Sequence, residues 1–390
     1  MVQALNARNR ILGVEHTETM QAMGNLTTTY QSLGRYTEAE KLEIQVLDAT
    51  NRILGVEHPD SITAMADLGA TYRNLGKYIE AEKLEIQVLD AKNRILGVEH
   101  PDTITAMINL EATYCCLGKY TEAEKLAMQV LDARNGILGV EHPDTINAMS
   151  NLAAIYQYMQ QCTEAEKLMI QVLDASNRIL GVEHPDTITA MAGLDATYQN
   201  LGKYTEAEKL AMQVLDARNK IFGVEHPDTI KAMTNLAAIY QYLQQYTEAE
   251  KLMIQVLDAS NRILGVEHPN TIYAMANLGA TYWSLGKYTE AEKLEMQVLD
   301  ARNRILGVEH PHTITAMTNL AATYKCLGRH TEGEKLQIEA QEAQSRVFAG
   351  EHFHKINTMS NVQESQESQV LDARSMLPDT ITNSEEKGVQ

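Results

Sequence analysis

The residues whose type and spacing first invite a chemical reading are the histidines. Eight of the twelve close the string LGVEH or a near copy, at His16, His58, His100, His142, His184, His226, His268 and His310, always 42 residues apart. A worn copy, Phe348 to His352, keeps the stride. Imidazole is a common zinc ligand, but ligands to one ion stand about 2 Å from it. One histidine per stacked helix pair lies about 10 Å from the next, so the column is not a metal centre. His310 with His312, or His352 with His354, would make at most a weak site. Glu-His ahead of Pro reads instead as loop and helix-start chemistry.

Other reactive groups fare no better. Cys115, Cys116, Cys162 and Cys326 contain no CxxC pair, so neither a disulfide framework nor a zinc site is indicated. A reducing compartment fits them. The carboxylates alternate with lysine, as in Glu122, Glu124 and Lys125, which is a solvated helix face rather than an acid/base dyad. No Ser/His/Asp or Cys/His set falls in register. No P-loop, glycine-rich nucleotide fingerprint or HExxH occurs. The chain is therefore expected not to be an enzyme, and to need no cofactor or metal.

The elements that carry these residues follow from the 42-residue unit. In the unit from Pro101 to His142, Pro101 and Asp102 mark a helix start. Ile104, Met107, Leu110, Tyr114 and Leu117 then recur at helical steps, and Gly118 closes the helix. Thr121 to Glu124 has the T-x-x-E form of a capping box, predicting a second helix from there. Ala123, Leu126, Val130, Ala133 and Ile137 form its apolar face, and Gly139 stops it. Each unit is thus a helix of about 16 residues, a tight turn and a helix of about 18 residues.

The expected fold is all-α: a right-handed superhelical solenoid of eight antiparallel helix pairs over residues 17–348. Residues 1–16 read as the remnant of a second helix, so the array begins mid-unit, as a segment of a longer product would. Residues 349–390 contain QVLDAR and PDTIT at the wrong spacing. They read as a decayed repeat with a disordered polar tail.

Composition agrees with copying of one unit: 17 Tyr stand against 3 Phe and 1 Trp. The net charge of −19 repels phosphate backbones and anionic bilayers, so neither nucleic acid nor a membrane is an expected partner. The amino terminus lacks the apolar core of a secretory signal. No apolar run approaches about 18 residues. A cytoplasmic location is expected.

The unit LGxEHPDT…NLAxxYxxLGKYxEAEKL…VLD resembles the tetratricopeptide variant of kinesin light chains, which is similar to arrays in nephrocystin-like proteins and in fungal signal-transduction NTPases. The resemblance covers roughly residues 1–350. It implies that first helices line a concave groove, and that a partner lies there as a peptide or helix. An Asn on the first helix would then bond the ligand backbone, since an amide donates and accepts at once. Here that column holds Asn109, Asn151, Asn235, Asn277 and Asn319, with Asp67 and Gly193 in the other units.

Differences between the repeats point the same way. The freely varying columns fall on one stripe of the first helix. They supply Lys231 and Tyr273 in one column, Trp283 in another, and Tyr158 and Tyr242 beside it. Tyr242, Tyr273 and Trp283 are a candidate aromatic anchor. Only Lys231 matches a carboxylate-clamp position, so no C-terminal carboxylate is expected as ligand. Glu111 and Asp195 stand in a column otherwise filled mainly by small residues, so each must reach water or disturb packing.

These observations describe a protein–protein interaction scaffold with a protein or peptide partner. A light-chain-like cargo adaptor of a microtubule motor, the detached sensor array of a signalling NTPase, and a self-associating solenoid are the alternative readings. The first two would make it a component of a motor or signalling complex.

Overall fold

The computed structural model describes residues 2–347; the expectations for 349–390 lie outside them. Among the described residues every regular element is an α-helix. In chain order they are α1 (Val2–Leu12), α2 (Thr17–Ser32), α3 (Tyr36–Leu54), α4 (Pro59–Asn74), α5 (Tyr78–Leu96) and α6 (Pro101–Cys116). Then come α7 (Tyr120–Leu138), α8 (Pro143–Tyr158), α9 (Cys162–Leu180), α10 (Pro185–Asn200) and α11 (Tyr204–Phe222). The remainder are α12 (Pro227–Tyr242), α13 (Tyr246–Leu264), α14 (Pro269–Ser284), α15 (Tyr288–Leu306), α16 (Pro311–Cys326) and α17 (330–347). First helices have 16 residues and full second helices 19.

Each first helix starts on a histidine cap, followed by proline in every one from α4 onward. The Nδ1 of His100 accepts the Asp102 N–H at 3.1 Å, and Pro101 fills the first helical position, where no N–H is needed. The same cap recurs at His58, His142, His184, His226, His268 and His310. The histidine column is therefore a column of N-caps.

The turn after the first helix is a Schellman motif. Lys119 N–H donates to the Tyr114 carbonyl at 2.9 Å, Gly118 N–H donates to Cys115 at 3.1 Å, and Gly118 takes φ +71°. The second helix then begins at Tyr120 with Lys119 as N-cap and no side-chain cap. The expected capping box at Thr121 does not form. The turn delivers the chain into helix two residues early, with Lys119 at the capping position, so Thr121 lies inside the first turn.

The described residues divide into two compact units, one ending at Ile221 and the other beginning at Phe222. In the first, Ile62, Met65, Val88, Ile104, Met107, Leu110, Val130 and Ala148 form a continuous core across α4 to α8. In the second, Ile272, Met275, Val298, Ala301 and Ala316 do the same across α14 to α16. Within each of these cores a helix buries its stripe on its chain neighbours, as stacked repeats must. Ile137 departs from expectation: it is half exposed at the end of α7, and the buried residues of that helix are Ala123, Ala127 and Val130.

Candidate partner-binding groove

The stripe left over after packing lies on the first helices, and successive ones touch directly, α4 with α6 and α14 with α16. Between α14 and α16 there is a cavity of about 400 Å³. Tyr273 and Asn277 on α14 and Asn319 on α16 line it. Ile305 and Leu306, at the end of α15, form its apolar wall. Arg302 reaches in from the same helix and donates to the His312 carbonyl at 2.8 Å. Burial pulls the Arg302 pKa down.

Three of the sequence-derived site residues, Tyr273, Asn277 and Asn319, thus share one cavity. Two amides there present donors and acceptors beside a largely apolar floor, and the Tyr273 ring is 56% exposed. That combination suits a peptide backbone carrying an apolar side chain.

The remaining candidates are distributed elsewhere. Lys231 is exposed on the first turns of α12, with Asn235 half-buried one turn on. Asn151 is exposed on α8. Asn109 is engaged within the protein: Arg73 of the preceding first helix donates to its Oδ1 at 3.1 Å and to its carbonyl at 3.3 Å. Trp283 stands near the opposite end of α14 from Tyr273 and meets Tyr288 edge-on at 6.3 Å. Tyr158 stacks on Tyr120 at 5.4 Å with the rings nearly parallel, and Tyr242 is exposed at the equivalent end of α12. The cavity lining includes Tyr273 but neither Tyr242 nor Trp283.

Sequence reasoning missed Arg302, Ile305 and Leu306, because it searched first helices alone. A signal existed: the Arg302 column reads Thr50, Lys92, Arg134, Ser176, Arg218, Ser260, Arg302.

Glu111 and Asp195 do not reach water; both are buried. Positions 16 residues apart face each other across a helix pair: a Cβ on Gly69 would lie 3.2 Å from Glu85 Cγ, and one on Gly279 3.4 Å from Glu295 Cγ. By the same register Glu111 faces Ala127 and Asp195 faces Ala211. Large meets small in each case, so packing is kept and the carboxylate remains inside. Desolvation raises Glu111 to about 7, partly offset by the Arg134 cation. The Gln199 amide donates to Asp195 at 3.1 Å.

Stacked helix pairs with histidine caps and Schellman turns define a helical-repeat array. The chain belongs to the tetratricopeptide repeat family, which it matches in overlapping segments from residue 18 to 332, and again over 313–354. Arrays of this family bind protein partners. Among solved structures the chain is similar to the "putative kinesin light chain nearly identical TPR-like repeats" of Podosopora anserina, at 30% identity and a TM-score of 0.49 over 52% of this chain and 95% of that one. It is also similar to a signal transduction ATPase with a tetratricopeptide repeat sensor from Pyrococcus horikoshii, at 13% identity and a TM-score of 0.60 over 87% of this chain and 50% of that one. The apo form of RapI is a third, at 13% identity and a TM-score of 0.52 over 74% of this chain and 99% of that one. No curated protein matches the sequence. No helix among the described residues is long and apolar enough to cross a membrane.

Proposed function

We propose that this protein is an interaction scaffold that holds a peptide or helix of a partner protein on its first-helix stripe, with the cavity of the second unit as its anchor point. The observation that carries this reading is the meeting of Tyr273, Asn277 and Asn319 around one cavity. Asn amides bridge peptide groups without selecting a side chain, while the cavity admits one apolar side chain and so sets specificity. Lys231 and Asn235 on the preceding first helix, α12, extend the same stripe.

A cytoplasmic setting belongs to this reading, since four free thiols suit a reducing compartment. An adaptor in a motor or signalling complex would use the stripe in the same way.

The test is selection of peptides from a displayed library against the whole chain, followed by affinity measurement on a variant carrying Tyr273→Ala, Asn277→Ala and Asn319→Ala. All three side chains are at least partly exposed, so the variant should keep its helical circular dichroism. The selected peptides should bind it about tenfold more weakly or worse. Equal binding by the variant removes the cavity from the reading.

A further inference from the structure

Five repeats contain the same three-residue arrangement at the turn between helices. Lys77 Nζ sits on the Glu40 carboxylate at 2.6 Å and 5.6 Å from the centre of the Tyr72 ring. Lys119 does so with Glu82 and Tyr114, Lys203 with Glu166 and Tyr198, and Lys287 with Glu250 and Tyr282. Arg329 does so with Glu292 and Tyr324. A cation held between a carboxylate and an aromatic face is stabilised by both.

The repeats of α8 and α12 keep the carboxylate and the ring but have glutamine as the third residue, Gln161 and Gln245. In the α8 repeat all three residues lie within one compact unit. Glu124 and Tyr156 occupy the carboxylate and ring positions, and Gln161 stands where the lysine would be. The backbone is unchanged. Gln161 N–H donates to the Tyr156 carbonyl at 2.8 Å, as Lys119 N–H does to Tyr114 at 2.9 Å. Gln160 adopts the left-handed φ of +60°, as Gln244 does at +59°, where glycine supplies it in turns such as that at Gly118. The altered side chain therefore sits on a conserved turn geometry. Glu124 is left hydrogen-bonded by the neutral Tyr156 hydroxyl, which does not balance its charge.

The surroundings favour a cation further. Glu164, at the start of α9, adds negative potential at Tyr156, and its nearest cation, Lys167, is 3.9 Å away. One turn from Glu124 on α7, the Tyr120 ring stacks on Tyr158, which is 63% exposed. That pair is a departure from most repeats, where Asn74, Cys116, Asn200, Ser284 and Cys326 occupy the Tyr158 position.

We propose that this turn edge is a second interaction surface, separate from the groove, which receives a lysine or arginine side chain of a partner protein. The cation lies on Glu124 against the Tyr156 ring, and the stacked Tyr120 and Tyr158 cover its methylene stem. The five intact repeats show in cis the contact that the partner makes here in trans.

The experiment uses the whole chain carrying Gln245→Lys in every sample, so that the α12 repeat offers no second site, and a fluorescent hexalysine peptide at roughly 150 mM salt to screen diffuse attraction to the acidic chain. Gln161→Lys installs the residue type found in four other repeats and should weaken binding about fivefold or more. Glu124→Gln should do the same. Gln129→Lys adds equal charge at another exposed site of α7 and should weaken binding less than about twofold. Glu82→Gln, at a repeat whose Lys119 already fills the position, should change little. Equal weakening by Gln161→Lys and Gln129→Lys overturns the proposal, as does absence of hexalysine binding. Tyr273→Ala should leave hexalysine binding intact; a loss there places the peptide in the groove and overturns the separate surface.

Discussion

The Gln157 side-chain amide donates to the Thr197 hydroxyl at 2.6 Å, linking two successive first helices at a separation of 40 residues. Gln31 joins Thr71 in the same way at 3.0 Å, and Gln241 joins Thr281 at 2.7 Å. Where the upstream residue is Cys115, the residue 40 positions on is Ile155, which needs no partner. Near-identical repeats are open to packing in the wrong register. The Gln–Thr pairs give those neighbouring repeats a polar match that helps to distinguish the correct partner, although the sequence does not keep the match at every repeat: the residue 40 positions after Gln199 is Ile239, and after Trp283 it is Thr323.

Thr197→Val should therefore destabilise the array by about 1–2 kcal/mol, the usual result of leaving a half-buried amide without its partner. Adding Gln157→Leu should recover part of the loss, since both ends are then apolar. Urea midpoints of the wild type, the two single variants and the double variant measure the coupling.

The Gly69 and Glu85 pair makes a steric prediction. Gly69→Glu alone puts a second carboxylate against Glu85, across a gap that a single Cβ already narrows to 3.2 Å. A loss of about 3 kcal/mol is expected from overpacking and buried like charge. Gly69→Glu combined with Glu85→Ala reproduces the arrangement of Glu111 with Ala127. Its loss should be smaller than the sum of the single losses, although Arg73 and Thr113 give up their contacts to Glu85. Additive losses would show that the two positions do not share one volume.

These pairings mark the limit of what the sequence discloses. Proline, glycine and apolar spacing announced the helix ends and the packing stripe, because a backbone that needs φ near +71° at Gly118 admits few residues. The capping box at Thr121 was misread because the Schellman turn moves the N-cap two residues upstream, to Lys119, and a four-letter pattern does not carry that shift. The environment of Glu111 was illegible because it depends on Ala127, on another helix, at an offset set by tertiary packing. The cavity was half legible: Tyr273 stood out as a first-helix variant, and Asn277 and Asn319 through the resemblance. Arg302 did not, since its column belongs to the second helix.

Buried carboxylates also give the array a pH dependence. Desolvation raises Glu43 and Glu111 to about 7 from an ordinary 4.5. Thr71 partly offsets this for Glu43, and Arg134 for Glu111. A raised acid binds its proton more tightly in the fold than in the unfolded chain. Its stabilising contribution is full below pH 4.5 and is lost as the pH rises toward 7. Each group is worth about 3 kcal/mol across that window by the shift alone. Glu111→Gln should therefore raise the melting temperature at pH 7.5 and change it little at pH 4.5. An equal effect at both values would assign the gain to packing rather than ionisation.

The histidine caps make the last prediction, and it separates a structural column from a chemical one. Because His268 Nδ1 accepts the Asn270 N–H at 3.1 Å, His268→Ala leaves that donor to water and should destabilise α14 by about 1 kcal/mol. His268→Asn supplies another side-chain acceptor and should recover most of the loss, although it removes the imidazole. Metal chelators should leave the melting temperature of the wild type unchanged. The cap lies at the end of the helix that carries Tyr273 and Asn277, so its loss should also be felt at the cavity. Amide exchange in the first two turns of α14 should quicken in His268→Ala while α4, with its own cap at His58, keeps its protection. Faster exchange in both helices would mean that the cap supports the whole array and not its own helix.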